Sequence, residues 1–400
     1  MRKRNREGII IAAVPFSPNL GDGIIHEALE FSIYSHEQNV ILHTLDIAGR
    51  LDYDVNNSKI NNTKSSLKYF VAIPRFIRII IVLCYVQYLY HKRLKRVYHN
   101  KLSKSSLMII GGGQLFSDVD LNFPIKLYLL FKEARSTNTS IIIYGAGMAS
   151  NISSLGEWLF AKLLNSKLVK NIYLRDDISI QNYYKYRFIS KGIQEVWDPG
   201  ILISRKYPKI FNEKKKYIGI GISSPMNLKY SGDSFVEINY DSVLLKIISH
   251  LISLKKNILL FTNGTIEDEE YKERLYAKIS EEEKGKICLA SRPIRPLDLV
   301  NIITATEYII SQRLHSNIVA YSYKIPSIGI VWDKKLVGFF KKIKRERMLL
   351  DLNNQDWFSV FTKLLTDSLI HINIDEHTQF LNEADSQIKE MIIKNKRNDD

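Results

Sequence analysis

The sequence predicts an α/β protein built from two parallel-sheet domains that face a cleft. Three observations carry this. Short apolar, β-rich runs alternate with helical patterns along most of the chain, the signature of parallel α/β units. The alternation breaks at a charged, proline-containing link from Ser204 to Lys216, and then resumes. Glycine-rich turns stand just after several strand-like runs, where open parallel sheets bind their ligands.

The elements follow in order. Strands are expected at Gly8–Val14, Asn39–Leu45, Leu107–Ile110, Ser140–Tyr144 and Asn171–Leu174, with helices at Gly23–Tyr34, Ile125–Glu133 and Glu157–Val169. The second series has strands at Tyr217–Ile222, Asn257–Thr262, Ile287–Ala290, Tyr308–Ser311 and Ser327–Val331. Its helices are expected near Asp241–Leu254, Glu267–Glu281, Pro296–Thr304, Ser316–Tyr323 and Lys335–Ile343. From Asp356 the chain reads as one or two helices with a frayed charged end at Lys394–Asp400. The expected division is therefore residues 1–204, 205–350 and a helical tail 351–400, with an insert at 55–117 in the first domain.

Composition bounds the function classes. The 400 residues are 45% hydrophobic and 25% charged, which excludes a disordered, collagenous or coiled-coil chain. Only two cysteines, Cys84 and Cys288, are present. They give no disulfide framework and no cysteine-rich zinc site, and they fit a reducing, cytoplasmic setting. The basic start, Met1–Glu7, leads into an apolar run that Pro15 closes early, so it reads as a first strand and not a secretion signal.

The net charge of +15 is unevenly placed. No acidic residue lies between Asp54 and Asp118, where eleven basic residues fall. Within this insert an apolar, aromatic run from Phe76 to Tyr90 turns basic at His91–Arg96. A membrane span needs ~20 largely uncharged apolar residues, so this run does not qualify. Two readings stay open: residues 71–104 as a helix lying on an anionic membrane surface, or a buried helix with a solvated basic end. Nucleic acid is not an expected partner, because no nucleic-acid motif accompanies the charge.

The strand ends carry the chemistry. After the first strand, Asn19-Leu-Gly-Asp-Gly23 opens a helix; Gly21 and Gly23 allow tight turning, and Asn19 or Asp22 can cap. Gly111-Gly112-Gly113 either offers backbone N–H groups to an anion or permits close strand–helix packing. Gly145-Ala-Gly147 lacks the last glycine of a dinucleotide fingerprint and has no acidic residue at the expected distance. Arg175, at the end of Asn171–Leu174, can grip a carboxylate or phosphate through two parallel hydrogen bonds, or pair with Asp176 or Asp177. Asp198-Pro-Gly200 reads as a turn. Asn263 stands in a further strand-to-helix loop, with Asp268 as a cap. Arg313 and His315 flank Leu314 and share a face if the chain stays extended there. An arginine beside a histidine suits an anion, and the histidine can also transfer protons.

These motifs, taken together and in order, resemble the polysaccharide pyruvyl transferase family over roughly residues 8 to 345. The matching residues are Asn19-Leu-Gly-Asp22, Gly111–Gly113, Tyr144-Gly-Ala-Gly147, Leu174-Arg-Asp-Asp-Ile-Ser179, Asp198-Pro199, Arg313-Leu-His315, Lys324-Ile-Pro-Ser-Ile328 and Asp333-Lys334. Gly200 stands where the family more often has alanine, and the basic insert looks particular to this chain. The resemblance implies a GT-B-like pair of Rossmann-like domains. It implies phosphoenolpyruvate as co-substrate, and a sugar or oligosaccharide acceptor that leaves as a pyruvate ketal. No cofactor or metal is required. Arg313, Leu314 and His315 match the family's donor motif and Arg175 its other arginine, with Gly111–Gly113 as a further donor-binding candidate. Asp22 is assigned as base by inference beside that match. Asn19, Gly21, Gly147 and Asn263 are expected to line the cleft. A lipid-linked acceptor would give the insert a role at the inner membrane.

Two rivals remain at this level. A glycosyltransferase of the same architecture would bind a nucleotide sugar and need an acidic residue on the ribose, for which Glu267 or Asp268 could serve. A non-catalytic scaffold would keep the fold alone, and the intact Arg313-Leu-His315 argues against it.

Overall fold

A computed structural model describes residues 8–53, 67–189, 192–209, 217–226, 238–366 and 371–396. The first sheet holds β1 (Gly8–Ala13), β2 (Ile41–Asp46), β3 (Ser105–Gly111), β4 (Ser140–Ala146), β5 (Val169–Leu174) and β6 (Gln194–Glu195). The second holds β7 (Tyr217–Gly221), β8 (Ile258–Phe261), β9 (Ile287–Leu289), β10 (Thr306–Ser311), β11 (Ser327–Ile330) and β12 (Leu349–Leu350). Their orders are β2-β1-β3-β4-β5-β6 and β12-β11-β10-β7-β8-β9, and every strand pair is parallel. Continuous apolar runs such as Ile258–Phe261 are buried on both faces, as strands covered by helices on each side require. The ten expected strands are present. The two-residue β6 and β12 are too short to carry a period-two signal.

The helices are α1 (Leu20–His36), α2 (Leu67–Ala72), α3 (Arg75–Leu89), α4 (Lys95–Leu102), α5 (Asn122–Thr137), α6 (Ser154–Leu164), α7 (Asp177–Lys185) and α8 (Ile203–Lys206). After β7 come α9 (Tyr240–Ser253), α10 (Ile266–Ala277), α11 (Glu281–Lys284), α12 (Pro296–Thr304), α13 (Leu314–Ser322), α14 (Lys334–Lys342), α15 (Trp357–Thr366) and α16 (Ile374–Lys396). Two expected helices are shorter than read. Glu157–Val169 stops at Leu164, because Val169 already begins β5. Glu267–Glu281 divides, since Ser280 caps a separate turn by accepting from Glu283 N. Of the link Ser204–Lys216, residues 204–209 are described and begin inside α8.

The two domains are closely joined. Leu20 N donates to Asn263 O at 3.0 Å, and Ser204 N to Ser322 Oγ at 3.1 Å. Lys342 Nζ donates to Val196 O at 2.9 Å. The tail does not hang free. α16 returns to the first domain, where Asp385 Oδ1 accepts from Ser32 Oγ at 2.5 Å and Gln387 Oε1 from Trp197 N at 2.9 Å. It stays helical through Lys396, so the described part of the expected frayed end is ordered helix.

Between β2 and β3 the described chain forms α2, α3, a π-helical turn at Tyr90–Leu94, and α4. β3 itself falls inside the 55–117 span and is an inner strand of the sheet. Tyr98 OH donates to Ile47 O at 2.6 Å and Arg78 pairs with Asp120 at 2.9 Å, tying this segment to the domain. Val86 alone of α3 is fully buried. The segment is buried on one side only: Val86, Tyr90, Leu94, Tyr98 and Leu102 lie in the core of the first domain, while Phe76, Ile80, Ile81, Tyr85 and Tyr88 stay exposed.

Candidate active site

The loops at the carboxyl ends of β1, β3, β4 and β5 make the first half of the site. Arg175 follows β5 and is buried. All three of its guanidinium nitrogens are engaged: Nε with Asp176 Oδ2 at 3.1 Å, Nη1 with Asp198 Oδ2 at 3.5 Å, and Nη2 with Gln114 Oε1 at 3.0 Å. Gly147 makes room for this arrangement, since a Cβ there would lie 2.6 Å from Gln114 Oε1 and 2.9 Å from Arg175 Nη2. Asp176 also caps α7 by accepting from Ser179 N at 2.7 Å. Arg175 is thus both a strand-end arginine and an ion-paired one: of the two expected carboxylates it takes Asp176, and Asp198 is a second.

The loops after β7, β8 and β10 make the second half. Arg313 and His315 straddle the start of α13, so the extended geometry expected of them is absent and they diverge. Arg313 Nη2 donates to Asp268 Oδ2 of its own domain. His315 crosses to the other half, with Nε2 3.7 Å from Asp198 Oδ2. Its ring lies on the backbone of Gly21, where a Cβ would come within 2.2 Å of Nδ1. Gly21 is therefore the seat of the histidine.

The remaining glycines are explained by packing. Gly112 and Gly113 have positive φ, +81° and +67°. A Cβ on Gly112 would meet Ile25 at 2.4 Å and one on Gly113 would meet Asp22 Oδ1 at 2.6 Å. Gly112 N donates to Tyr144 O at 3.1 Å, so that N–H is spent within the sheet. The packing reading of Gly111–Gly113 accounts for these contacts, and Gly113 also lets Asp22 approach.

The caps are corrected as well. Asn19 occupies the N-cap position of α1, but no side-chain cap hydrogen bond forms. Thr265 caps α10 by accepting from Asp268 N at 3.3 Å. Asp268 itself is fully buried, holding Arg313 and accepting from Ser224 N at 2.7 Å.

Two carboxyls near His315 are pushed in opposite directions. Burial raises Asp22 above the ordinary carboxylate range, against the charge of His315, a hydrogen bond from Ser17 and the charge of Arg175. Burial pushes Asp198 up too, but His315, Arg175 and the N–H of Gly200 outweigh it and hold its carboxyl low. Groups driven apart in this way are suited to separate acid–base tasks. Asp198 stays ionised and can orient or charge the imidazole, while Asp22 can exchange a proton.

Six buried side-chain atoms on these loops and the start of α13 have no hydrogen-bond partner among the described residues: Asn19 Oδ1, Ser223 Oγ, Asn263 Nδ2, Arg313 Nε, His315 Nε2 and Asn317 Oδ1. Buried polar atoms are nearly always satisfied, so this concentration marks where a polar ligand would bind. Asn263 holds Ser316 through its Oδ1 at 2.6 Å, which leaves the amide nitrogen for a ligand. A narrow cavity adjoins the site, lined in part by Arg175, Asp198, Leu314, Lys335 and Lys342. Of the expected residues, Asn19, Gly21, Asp22, Gly113, Gly147, Arg175, Asn263, Arg313 and His315 all meet on these strand-end loops. Sequence reading gave no role to Gln114, Ser223 or Asn317, and read Asp198 as a turn. For Asp198 a signal existed, its place in the ordered motif set; Gln114 directly follows the Gly111–Gly113 run, and Ser223 and Asn317 sit in no motif. Among the described residues no three His, Cys, Asp or Glu side chains are grouped to hold a metal ion.

Comparison with known proteins places this geometry. No curated protein gives a significant match. UDP-GlcNAc 2-epimerase from Methanocaldococcus jannaschii, solved with UDP-GlcNAc and UDP, superposes with a TM-score of 0.52 at 12% identity, covering 92% of this chain and 96% of that one. ADP-heptose lipopolysaccharide heptosyltransferase II from E. coli gives 0.39 at 12% identity, over 81% of this chain and 84% of that one. The likeness at such identity is one of fold, the two-domain GT-B architecture. A family model of polysaccharide pyruvyl transferase matches residues 19–334, a span that runs from Asn19, at the end of the first of these loops, past Arg313 and His315. The chain belongs to the polysaccharide pyruvyl transferase family.

Proposed function

We propose that this protein transfers the pyruvyl group of phosphoenolpyruvate to two hydroxyls of one sugar in a surface polysaccharide or its lipid-linked precursor. The observation that carries the reading is the cluster of unpartnered polar atoms around Arg313 and His315. Phosphoenolpyruvate brings a carboxylate and a phosphate, and among the described residues Arg313 Nε and the amide nitrogen of Asn263 are donors without acceptors. Protonation of the enol CH2 makes C2 cationic, and the first sugar hydroxyl attacks it. The C2–O bond to phosphate then breaks, and the second hydroxyl closes the ketal. Of the two hydroxyl protons, one balances the new methyl group and the other leaves with phosphate. His315 supplies the proton to carbon or to the departing phosphate, held by Asp198; Asp22 takes a hydroxyl proton. No metal and no further cofactor enters these steps. Phosphoenolpyruvate is a cytoplasmic metabolite, which puts the reaction on that side of the membrane.

The test is thermal unfolding with phosphoenolpyruvate against a panel of nucleotide sugars. A ligand at 100 times its Kd adds about 2.7 kcal/mol of stability. Stabilisation by phosphoenolpyruvate that vanishes in Arg313→Ala is expected. Stabilisation by a nucleotide sugar alone would overturn the reading in favour of a glycosyltransferase. Against that rival, Asp268, one candidate for a ribose contact, is buried on Arg313.

A further inference from the structure

We infer that α3 is a docking surface for an anionic lipid bilayer, lying in the plane of the interface. Phe76, Ile80, Ile81, Leu83, Tyr85 and Tyr88 are all exposed along this one helix. Its other side, Ile79, Val82, Val86 and Leu89, packs on the core of the first domain. Monomeric proteins rarely leave a contiguous apolar patch of this kind uncovered.

Charge decides what covers it. Arg75 opens the helix, and Lys92, Arg93, Lys95 and Arg96 follow directly after it, all exposed. Among the described residues none of these five pairs with a carboxylate. No acidic residue occurs between Asp54 and Asp118. A second copy of the chain would bring the same positive charge against itself. An anionic headgroup layer instead offers phosphates for the basic residues, acyl chains for the isoleucines, and an interface depth that suits tyrosine. The helix is 15 residues long, about 22 Å at the α-helical rise. Among the described residues no helix is long and apolar enough to cross a membrane. The helix therefore lies on the bilayer.

The anchor of α3 gives the docking a direction. Arg78 Nε and Nη2 hold both oxygens of Asp120, at 2.9 and 3.1 Å. Asp120 follows the Gly111–Asp118 loop at the carboxyl end of β3, where the site lies. The membrane-facing helix thus starts from the rim of the cleft, which would present a lipid-linked acceptor to it. That last step rests on the pyruvyl transfer proposed above; the docking itself does not.

Flotation of the full-length protein with vesicles separates the two, because it needs no turnover. Vesicles of phosphatidylcholine with one-third phosphatidylglycerol should carry the protein, pure phosphatidylcholine far less, and raised salt should release it. Ile80→Ser/Tyr85→Ser should lower the partition coefficient at least tenfold with an unchanged Tm. Lys92→Glu/Arg93→Glu, on exposed positions, should lower it by about twentyfold or more, since each basic residue near the surface is worth about fivefold. No flotation with anionic vesicles would overturn the proposal. So would equal binding by both variants, or a dimer in sedimentation that Ile80→Ser/Tyr85→Ser abolishes while the wild type fails to float.

Discussion

The two halves of the cleft handle charge differently. In the first domain, each guanidinium nitrogen of Arg175 already has a partner in Asp176, Asp198 or Gln114 before any ligand arrives. In the second, Arg313 has Asp268 on one nitrogen, and among the described residues its Nε and one buried polar atom each of Ser223, Asn263, His315 and Asn317 find no partner, against Asn19 alone of the site residues in the first. A network closed on itself fixes geometry, whereas unsatisfied donors and acceptors await a ligand. The first half is therefore the frame and the second the receptor. His315 joins them, carried by α13 of the second domain and seated on Gly21 of the first.

The largest expected effect tests that junction. His315→Ala should lower turnover by about 10²–10⁴-fold, the usual worth of a positioned acid or base, with little change in Tm. Gly21→Ala should approach the same loss, although it alters no functional group. Its Cβ would have to occupy space 2.2 Å from the His315 ring, so the ring must leave its seat. A Gly21→Ala enzyme with near-normal kcat would mean that the position of the imidazole does not matter to the reaction.

The next effect separates the arginines. Lysine keeps the charge but loses the planar fork. Arg313→Lys should abolish stabilisation by phosphoenolpyruvate and cost about 10²–10³-fold in turnover, the range for removing one preorganised donor. Arg175→Lys should lower Tm more and turnover less, because it breaks three contacts internal to the protein. Thermal unfolding and steady-state rates on both variants decide the matter. If Arg175→Lys keeps its Tm and loses phosphoenolpyruvate affinity as fully as Arg313→Lys, the distinction between frame and receptor fails.

A third effect appears in the pH profile. Asp22 acts as base only when ionised, so activity should fall as pH drops through its pKa. Burial raises that pKa, which puts the acidic limb of kcat/KM at higher pH than an ordinary carboxylate would. Asp22→Asn should lower the rate and remove that limb. A limb that persists unchanged in Asp22→Asn would assign it to another group.

These contrasts show how much the sequence carried. Strand positions were legible because runs such as Ile9–Ile11 and Ile141–Ile143 have few alternatives in a protein of this composition. The site residues were legible because parallel sheets collect them at carboxyl ends: Asp22, Arg175, Asn263, Arg313 and His315 are far apart in the chain and fall on loops of the same kind. Pairing was not legible. Whether Arg175 meets Asp177 or Asp198 depends on how β5 and the Asp198 turn are juxtaposed. That Arg313 and His315 diverge follows from α13 beginning at Leu314, earlier than the helical pattern indicated. The Gly111–Gly113 run was legible as a close approach but not in its partners: an added Cβ there would meet Tyr144, Ile25 and Asp22.

The smallest expected effect concerns the edge of the frame. Gly200 stands where the family more often has alanine, and its N–H donates to Asp198 Oδ1 at 2.9 Å. A Cβ there would sit 3.1 Å from Asp198 Oδ1 and 3.4 Å from Ile24 and Ile318, tight contacts that a shift of a few tenths of an ångström relieves. Its φ is not in the left-handed region, so alanine meets no backbone strain and restricts the unfolded chain, a gain of about 0.4–1 kcal/mol. The two effects oppose each other, and Gly200→Ala should change stability by less than about 1 kcal/mol and turnover by no more than a few-fold. Thermal unfolding and kcat measured beside Gly21→Ala make the comparison direct, since the same added methyl group is placed at two points near one histidine. A loss at Gly200 as large as that at Gly21 would mean that Asp198, and not the seat of the ring, controls how His315 is held.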